Sequence, residues 1–587
     1  MIDPKDFATR FEFDRTRFDL IHKGDWRLPF IPPPVRLKIL IVTDGYPGQF
    51  VNVTYGRLYF SLSEVVHTLQ NNPEPWVKFD LTKAHRQTDP LGEADVNNFR
   101  FTTAGFDINE YDQVWFFGAR TNENDSLRLA DDELAIVARW MDERQGGVFA
   151  TGDHADFGAS LCSKIPRVRA MRRWTAAKGV PSNVGANRHD TLLPGHDTTF
   201  TFNDESDDIP MPIAPKMFPL PSILAFVQRE APHPLLCGTA GIINVLPDHP
   251  HEGEVIEPVS LTNNFSFPGY TNKPEFPVKL DGSGHRELAH VVATAQVRAR
   301  TTAQDTNKGL CNGKTIGVIG AYNGHASGVG RVAVDSTWHH WFDVNLVGRP
   351  QGAGEDPVDP VIGTDPKSQG FLFSPAGRAH YDKIKNYFRN TALWLSSPAR
   401  QDQLFFRATW RITMLYPLVE QLDVKLPLWV LGGFALDAIG RASGPCTVRT
   451  WLFDRFAPAW RERFFIPQPD PCLSCPPIDA LERMLMGGLV RELLVLADKS
   501  KDRAKGVAEA DAVEAAVRGL ELGAREFNQM LEKSAKNVVA LARELQAVAP
   551  LKLSPKQFVL GEERAAGPKG KAVGKAVSKT AGKPRRK

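Results

Sequence analysis

The sequence predicts an α/β protein: a parallel sheet flanked by helices, followed by a mostly α-helical C-terminal region. Three observations carry this. Short apolar runs rich in β-branched residues stop at turn residues, as in Leu37–Gly45, Asp112–Ala119 and Gly146–His154. Stretches of helical periodicity separate them, and alternating strands and helices call for right-handed crossovers and parallel pairing. Beyond about residue 400 the strand-like runs cease and helical patterns take over.

Taken in order, residues 1–35 form an extension ending in Pro29, Pro32, Pro33 and Pro34, a stiff lead-in. Residues 36–398 are the α/β domain. Its first strand is Leu37–Gly45, a helix lies around Tyr55–Leu69, and Trp76–Leu81 is a second strand candidate. Asp112–Ala119 is the third strand. Leu127–Arg144 is helical, with Leu134, Val137, Ala138 and Met141 on one face. Gly146–His154 is a buried strand running into a Gly turn. Residues 159–230, rich in Pro, Asn, Asp and Arg, read as an insertion or lid. Leu235–Val245, Thr315–Ala321 and Gly330–Ser336 are further strands, Gly352–Pro366 is a loop, and Arg378–Leu395 is a closing helix. Residues 399–560 are helical over Gln403–Leu422, Leu428–Ala442, Ile478–Leu496 and Ala504–Val548. Residues 561–587 are a disordered basic tail.

Hydrophobic residues make up 42% of the 587 and charged residues 24%, which excludes a wholly disordered, collagen-like or coiled-coil chain. No run of 18 apolar residues occurs, so no membrane partner is expected. The N-terminus lacks a secretory pattern, and six cysteines are too few for a disulfide framework, so a reducing cytoplasm is expected. Eight basic residues and no acid lie between Gly567 and Lys587, leaving the remainder mildly acidic. Charge therefore gives no support to a nucleic-acid role for the whole chain, and no sequence-specific nucleic-acid partner is expected. The tail either solubilises or tethers the chain, or touches an acidic partner through unspecific charge.

In parallel sheets ligand chemistry gathers beyond the carboxyl ends of the strands, where Asp44, Arg120, Asp153 and His154 fall. Three constellations follow. Gly152-Asp153-His154-Ala155-Asp156 closes a strand in the manner of a nucleophile elbow. Thr151 is the only hydroxyl near it and Cys162 lies well along the chain, so covalent acyl transfer is disfavoured. Asp153 is equally suited to capping a following helix. Asp248-His249-Pro250-His251-Glu252-Gly253-Glu254 packs five ionisable side chains into seven positions. In an extended segment His249 and His251 point the same way, which suits two ligands on one metal, although a solvated acidic loop has the same composition. Asp335-Ser336-Thr337-Trp338-His339-His340-Trp341-Phe342-Asp343 follows the Gly-rich stretch Asn323–Arg331 and another strand. Only one of the adjacent His339 and His340 can face a cleft. Trp338 and Trp341 either wall a pocket or belong to the core.

Together, the first strand ending Asp44-Gly45, the Gly-Gly-Val-Phe-Ala-Thr-Gly-Asp-His elbow and Gly-Val-Gly-Arg-Val-Ala-Val-Asp-Ser-Thr-Trp-His-His resemble the class I glutamine amidotransferase-like superfamily, most nearly its ThuA-like (trehalose utilisation) branch. The matching positions are Gly146, Gly147, His154, Gly328, Gly330, Arg331, Val332 and His339, and the resemblance spans about residues 36–396. It implies a flavodoxin-like sheet and sugar-related, metal-assisted chemistry. The amidotransferase Cys is absent, since the strand ends Phe149-Ala150-Thr151-Gly152, so glutamine hydrolysis is not expected. The elbow His stands two residues from the family's usual spacing, and the helical C-terminal half has no counterpart there.

Cys472-Leu473-Ser474-Cys475 lacks the second pair a zinc site needs; Cys446 is a single possible addition, and the flanking prolines put the motif in a loop. The functional expectation is therefore a hydrolase or lyase that is not a glutaminase, acting on a small-molecule, carbohydrate-related substrate. A divalent metal such as zinc is drawn from Asp153, His154, His249, His251 and His339, with His154, Glu252 and His339 as catalytic candidates. The alternative is a catalytically inactive scaffold or ligand-binding protein whose helical half recruits a partner or a second copy.

Overall fold

The computed structural model describes residues 33–45, 50, 61–91, 93–121, 126–153, 157–172, 174, 210–220, 229–248, 254–297, 314–347, 370–415, 425–456, 478–500 and 509–548. The apolar runs near the N-terminus become β1 (Val35–Thr43), β2 (Val77–His85), β3 (Gln113–Phe117) and β4 (Gly147–Thr151). The helix in the first crossover is α1 (Ser63–Gln70), and the one between β3 and β4 is α2 (Asp131–Glu143). β3 and β4 are buried at every position, as expected of parallel strands covered on both faces.

After β4 come two single-turn helices, α3 (Ala159–Cys162) and α4 (Val168–Met171), then β5 (Met211–Pro215), β6 (Met217–Leu220) and β7 (Arg229–Pro232). Three two-residue strands follow, β8 (Cys237–Gly238), β9 (Gly241–Ile242) and β10 (Val245–Leu246), then β11 (Asn264–Phe267), β12 (Tyr270–Pro274), β13 (Ala289–Val297), β14 (Lys314–Tyr322) and β15 (Val332–Asp335). Among the described residues the main sheet has nine strands in the order β10-β5-β13-β14-β15-β4-β3-β1-β2. The half running β2-β1-β3-β4-β15 is parallel throughout. With β15 in fifth place this is the flavodoxin-like order 2-1-3-4-5. The other half is antiparallel.

The structure revises several expectations. Leu235–Val245 is not one strand but a 3₁₀ turn at Pro234–Leu236 and the short strands β8 to β10. Part of the expected insertion, β5, is paired within the main sheet. Because β14 runs against β15, the Asn323–Arg331 stretch lies at the edge opposite the carboxyl ends of the parallel strands. Gly352–Pro366, Cys472, Cys475 and the basic tail lie outside the described residues.

One face of the sheet packs on α2 through Val114, Phe116, Val137, Met141 and Val148. On the other, Trp341 is fully buried, with ring centroids 4.4 Å from Phe149 and 5.6 Å from Trp115. Trp341 is thus a core residue. Asp335 anchors this layer. It accepts from Trp341 Nε1 at 3.0 Å and from the Tyr387 hydroxyl at 2.9 Å, and lies 2.6 Å from His340 Nδ1. Tyr387 belongs to α6 (Pro375–Trp394), which follows the short α5 (Asp343–Val347). The Gly pair at the start of β4 is a packing requirement: a Cβ on Gly146 would enter the Trp140 indole, and one on Gly147 would collide with the Leu395 carbonyl.

The helical region holds α7 (Pro398–Leu415), α8 (Leu428–Ser443), α9 (Pro445–Phe456), α10 (Ile478–Ser500) and α11 (Glu509–Val548). Residues 1–527 form one compact unit and 528–587 a second, whose described part is the helical 528–548. A further departure is a disulfide between Cys237 of β8 and Cys446 of α9, with Cα atoms 5.9 Å apart. It ties the α/β domain to the helices, where the cysteine count suggested no disulfide framework and Cys446 stood only as a possible addition to the Cys472/Cys475 motif. No described helix is long and apolar enough to cross a membrane.

Candidate functional site

Past the carboxyl end of β15 the chain bends at Ser336, is extended at Thr337 and then makes a 3₁₀ turn, Trp338–His340. The Thr337 hydroxyl caps that turn by accepting the His339 N–H at 3.0 Å, as short hydroxyl side chains do at helix starts. The same hydroxyl donates to Asp153 Oδ1 at 2.5 Å, and the Trp338 N–H donates to the Gly152 carbonyl at 2.8 Å. The turn after β15 is thereby locked to the end of β4. Arg172 reinforces the lock by donating from Nη2 to the carbonyls of Asp153 and Ser336 at 2.6 and 3.0 Å. Its guanidinium lies 4.2 Å from the Trp174 ring.

This arrangement brings two of the sequence-predicted residues together. His339 Nε2 lies 3.5 Å from Asp153 Oδ2, and Asp153 is fully buried. His340 is buried on Asp335 and faces away, so of the adjacent pair only His339 serves the site. The Trp338 ring lies against the His339 ring, tilted by 38° with centroids 4.2 Å apart, and is itself mostly buried. Among the described residues Asp153 caps no helix, since Gly158 holds that position for α3. His154, His249, His251 and Glu252 lie outside the described residues.

Two further residues complete the environment of the ring. Asp248 Oδ2 stands 3.6 Å from His339 Nδ1, and Asn345 Oδ1 stands 3.1 Å from it; both residues are fully buried. Asp248 opens the acidic–His cluster flagged in the sequence and is the member of it that the structure places beside His339. Asn345 carries no sequence signal, because an isolated Asn is ordinary anywhere. Its Nδ2 donates to Asp248 Oδ2 at 2.5 Å, and this sets the amide: the oxygen faces the imidazole, so Nδ1 bears the hydrogen. Nε2 then presents its lone pair to Asp153. Two acceptors 3.5 Å apart at a buried point repel unless a proton or a metal cation lies between them.

Cys162 is near in space although far along the chain. Its Sγ lies 3.4 Å from the Thr151 carbonyl. Burial, with the Asp44 charge adding to it, pushes the thiol far above its ordinary range, which leaves it a poor nucleophile.

Asp44 occupies the switch point between β1 and β3, where loops on either side diverge. Its Oδ1 accepts the Ala119 N–H at 2.6 Å, and its carbonyl accepts Arg120 Nε at 2.9 Å. Burial pushes its carboxyl up to about 7, against the pull of the Ala119 N–H and the Arg120 charge. The folded protein therefore holds this proton longer than the unfolded chain does. The associated stability is present at low pH and is lost as pH rises from the ordinary carboxylate range through 7. Asp44→Asn keeps the shape without the charge. Thermal melts should show it gaining on wild type by about 1.4 kcal/mol per pH unit in that window, or roughly 2–3 kcal/mol between pH 5 and 8. Parallel curves would contradict this.

A divalent cation fits the donor set in part. Asp153 and His339 Nε2 are an oxygen and a nitrogen ligand of the types zinc takes, and a carboxylate behind the far ring nitrogen is the usual outer support of a metal-bound histidine. Among the described residues no group of three or more His, Cys, Asp or Glu gathers at metal-binding distance. Further ligands would have to come from outside them, and His154 and His249 are the chain neighbours of Asp153 and Asp248. No family model, curated protein or solved structure matches the chain.

Proposed function

We propose that the protein is a metal-assisted hydrolase or lyase working at the rim of β4 and β15. The observation that supports this reading most is His339, held with Nδ1 toward Asn345 and Asp248 and Nε2 toward the buried Asp153. Asp153 and His339 would hold a divalent cation, with His154, His249 and His251 as the remaining ligand candidates. When bound, such a cation polarises a substrate oxygen or lowers the pKa of a water. Asp248 and Asn345 keep the His339 ring in one tautomer and one orientation. Glu252, or a histidine not used as a ligand, is the general-base candidate. The ThuA-like resemblance points to a sugar-related substrate, and the absence of the amidotransferase Cys from the strand end Phe149-Ala150-Thr151-Gly152 counts against glutamine hydrolysis. Metal analysis of the purified protein tests this reading. Wild type should carry close to one divalent ion per chain, and His249→Ala with His251→Ala should lower the content. Equal content near zero in both would leave a proton as the bridge between Nε2 and Asp153 and overturn the metal.

A further inference from the structure

We propose that a groove at the opposite edge of the sheet, between the start of β1 and helix α7, binds a small molecule bearing a phosphate or diphosphate group. The groove is open, encloses about 670 Å³ including space shared with solvent, and is lined by Arg36, Lys38, Asp80, Arg400, Gln403 and Arg407. Four cations thus face one carboxylate. Their placement follows from local geometry. Arg36 and Lys38 are two apart on β1 and share its exposed face. Arg400, Gln403 and Arg407, at spacings of three and four along α7, share one side of a helix.

The guanidinium forks are held in place beforehand. Arg36 grips Asp80 with Nε and Nη2 at 2.7 and 2.8 Å. Arg400 places Nε on Asp112 at 2.8 Å and Nη1 on Gln403 at 2.9 Å. Lys38 Nζ is 3.8 Å from Glu110. Asp112 and Glu110 thus steady the cations from outside the lining. Arg411, one turn beyond Arg407, adds like charge: burial, and then Arg407 itself, push its guanidinium below its ordinary range. A bound anion relieves that repulsion. Guanidinium groups match the oxygen spacing of phosphate in pairs, and a lysine adds a point charge. A multiply charged phosphate therefore suits the groove better than a monocarboxylate.

Isothermal titration with inorganic pyrophosphate, and separately inorganic phosphate, into metal-stripped full-length protein tests the site. Saturable pyrophosphate binding is expected, tighter than phosphate and weakened by salt. Affinity should fall at least tenfold in Arg400→Gln with Arg407→Gln, and measurably in Lys38→Gln, whose half-exposed side chain makes misfolding no explanation. It should be unchanged in Asp153→Ala with His339→Ala. Absence of pyrophosphate binding to wild type, wild-type affinity in folded Lys38→Gln and Arg400/Arg407 variants, or loss confined to the Asp153/His339 variant would each overturn the proposal. So would binding of an oligonucleotide that pyrophosphate does not displace.

Discussion

Glu133→Ala is expected to destabilise the protein by about 3–5 kcal/mol, the range for breaking a buried ion pair from one side. The partner, Arg86, is fully buried, and its Nη1 and Nη2 donate to the two Glu133 oxygens at 2.8 Å each. Glu133 also accepts the N–H groups of Phe101 at 2.9 Å and Ala130 at 3.1 Å. Removing the carboxylate strands a charge and two backbone donors at once, because the Arg86 side chain, tied also to the carbonyls of Leu127 and Arg128, cannot swing into water. The contact joins the end of β2 to the first turn of α2, so the loss should appear in the global unfolding transition. Denaturant titration measures it. A change below about 1 kcal/mol, the range of an exposed pair, would mean that water reaches Arg86 in solution.

His339→Ala should weaken zinc binding by roughly a hundred- to a thousandfold. Zinc binding of about 10–16 kcal/mol shared among four ligands gives about 2.5–4 kcal/mol for each. Asp248→Asn, which leaves the ligands in place and alters only the support of Nδ1, should cost less, about ten- to a hundredfold. Competition against a chromophoric chelator reads both. The order of the two losses is informative: Asp248→Asn costing as much as His339→Ala would make Asp248 a ligand rather than a support.

The residues that announced the fold did so because their environment leaves few options. A run such as Val-Trp-Phe-Phe in β3 is buried on both faces, as expected of a strand in the middle of a covered sheet. β13 carries no comparable signal. Its Ala-His-Val-Val-Ala-Thr-Ala-Gln-Val mixes small and polar residues, and its pairing partners, β14 and β5, are not neighbours implied by a βαβ repeat. Within the antiparallel half, β14 was legible as the apolar run Thr315–Ala321, whereas β13 and β5 were for that reason hidden. So was the Cys237–Cys446 bridge, whose partners stand 209 residues apart.

At the site, Asp153 and His339 could be named because both close an apolar strand at the edge where parallel strands end. Their meeting depends on β15 lying beside β4, which residue order alone does not dictate. Asp248 was visible only as the first member of a polar cluster. Asn345 was not visible at all, since its role comes from the single hydrogen bond that orients its amide. Cys162 shows the converse error: eleven positions from Thr151, it seemed too remote, yet a one-turn helix folds it back against that residue.

The most direct test of the site is a crystal grown with zinc, with diffraction recorded on both sides of the zinc absorption edge. An anomalous peak touching both Asp153 Oδ2 and His339 Nε2 is the predicted result. At saturating zinc, a map with no peak between those two atoms would contradict it.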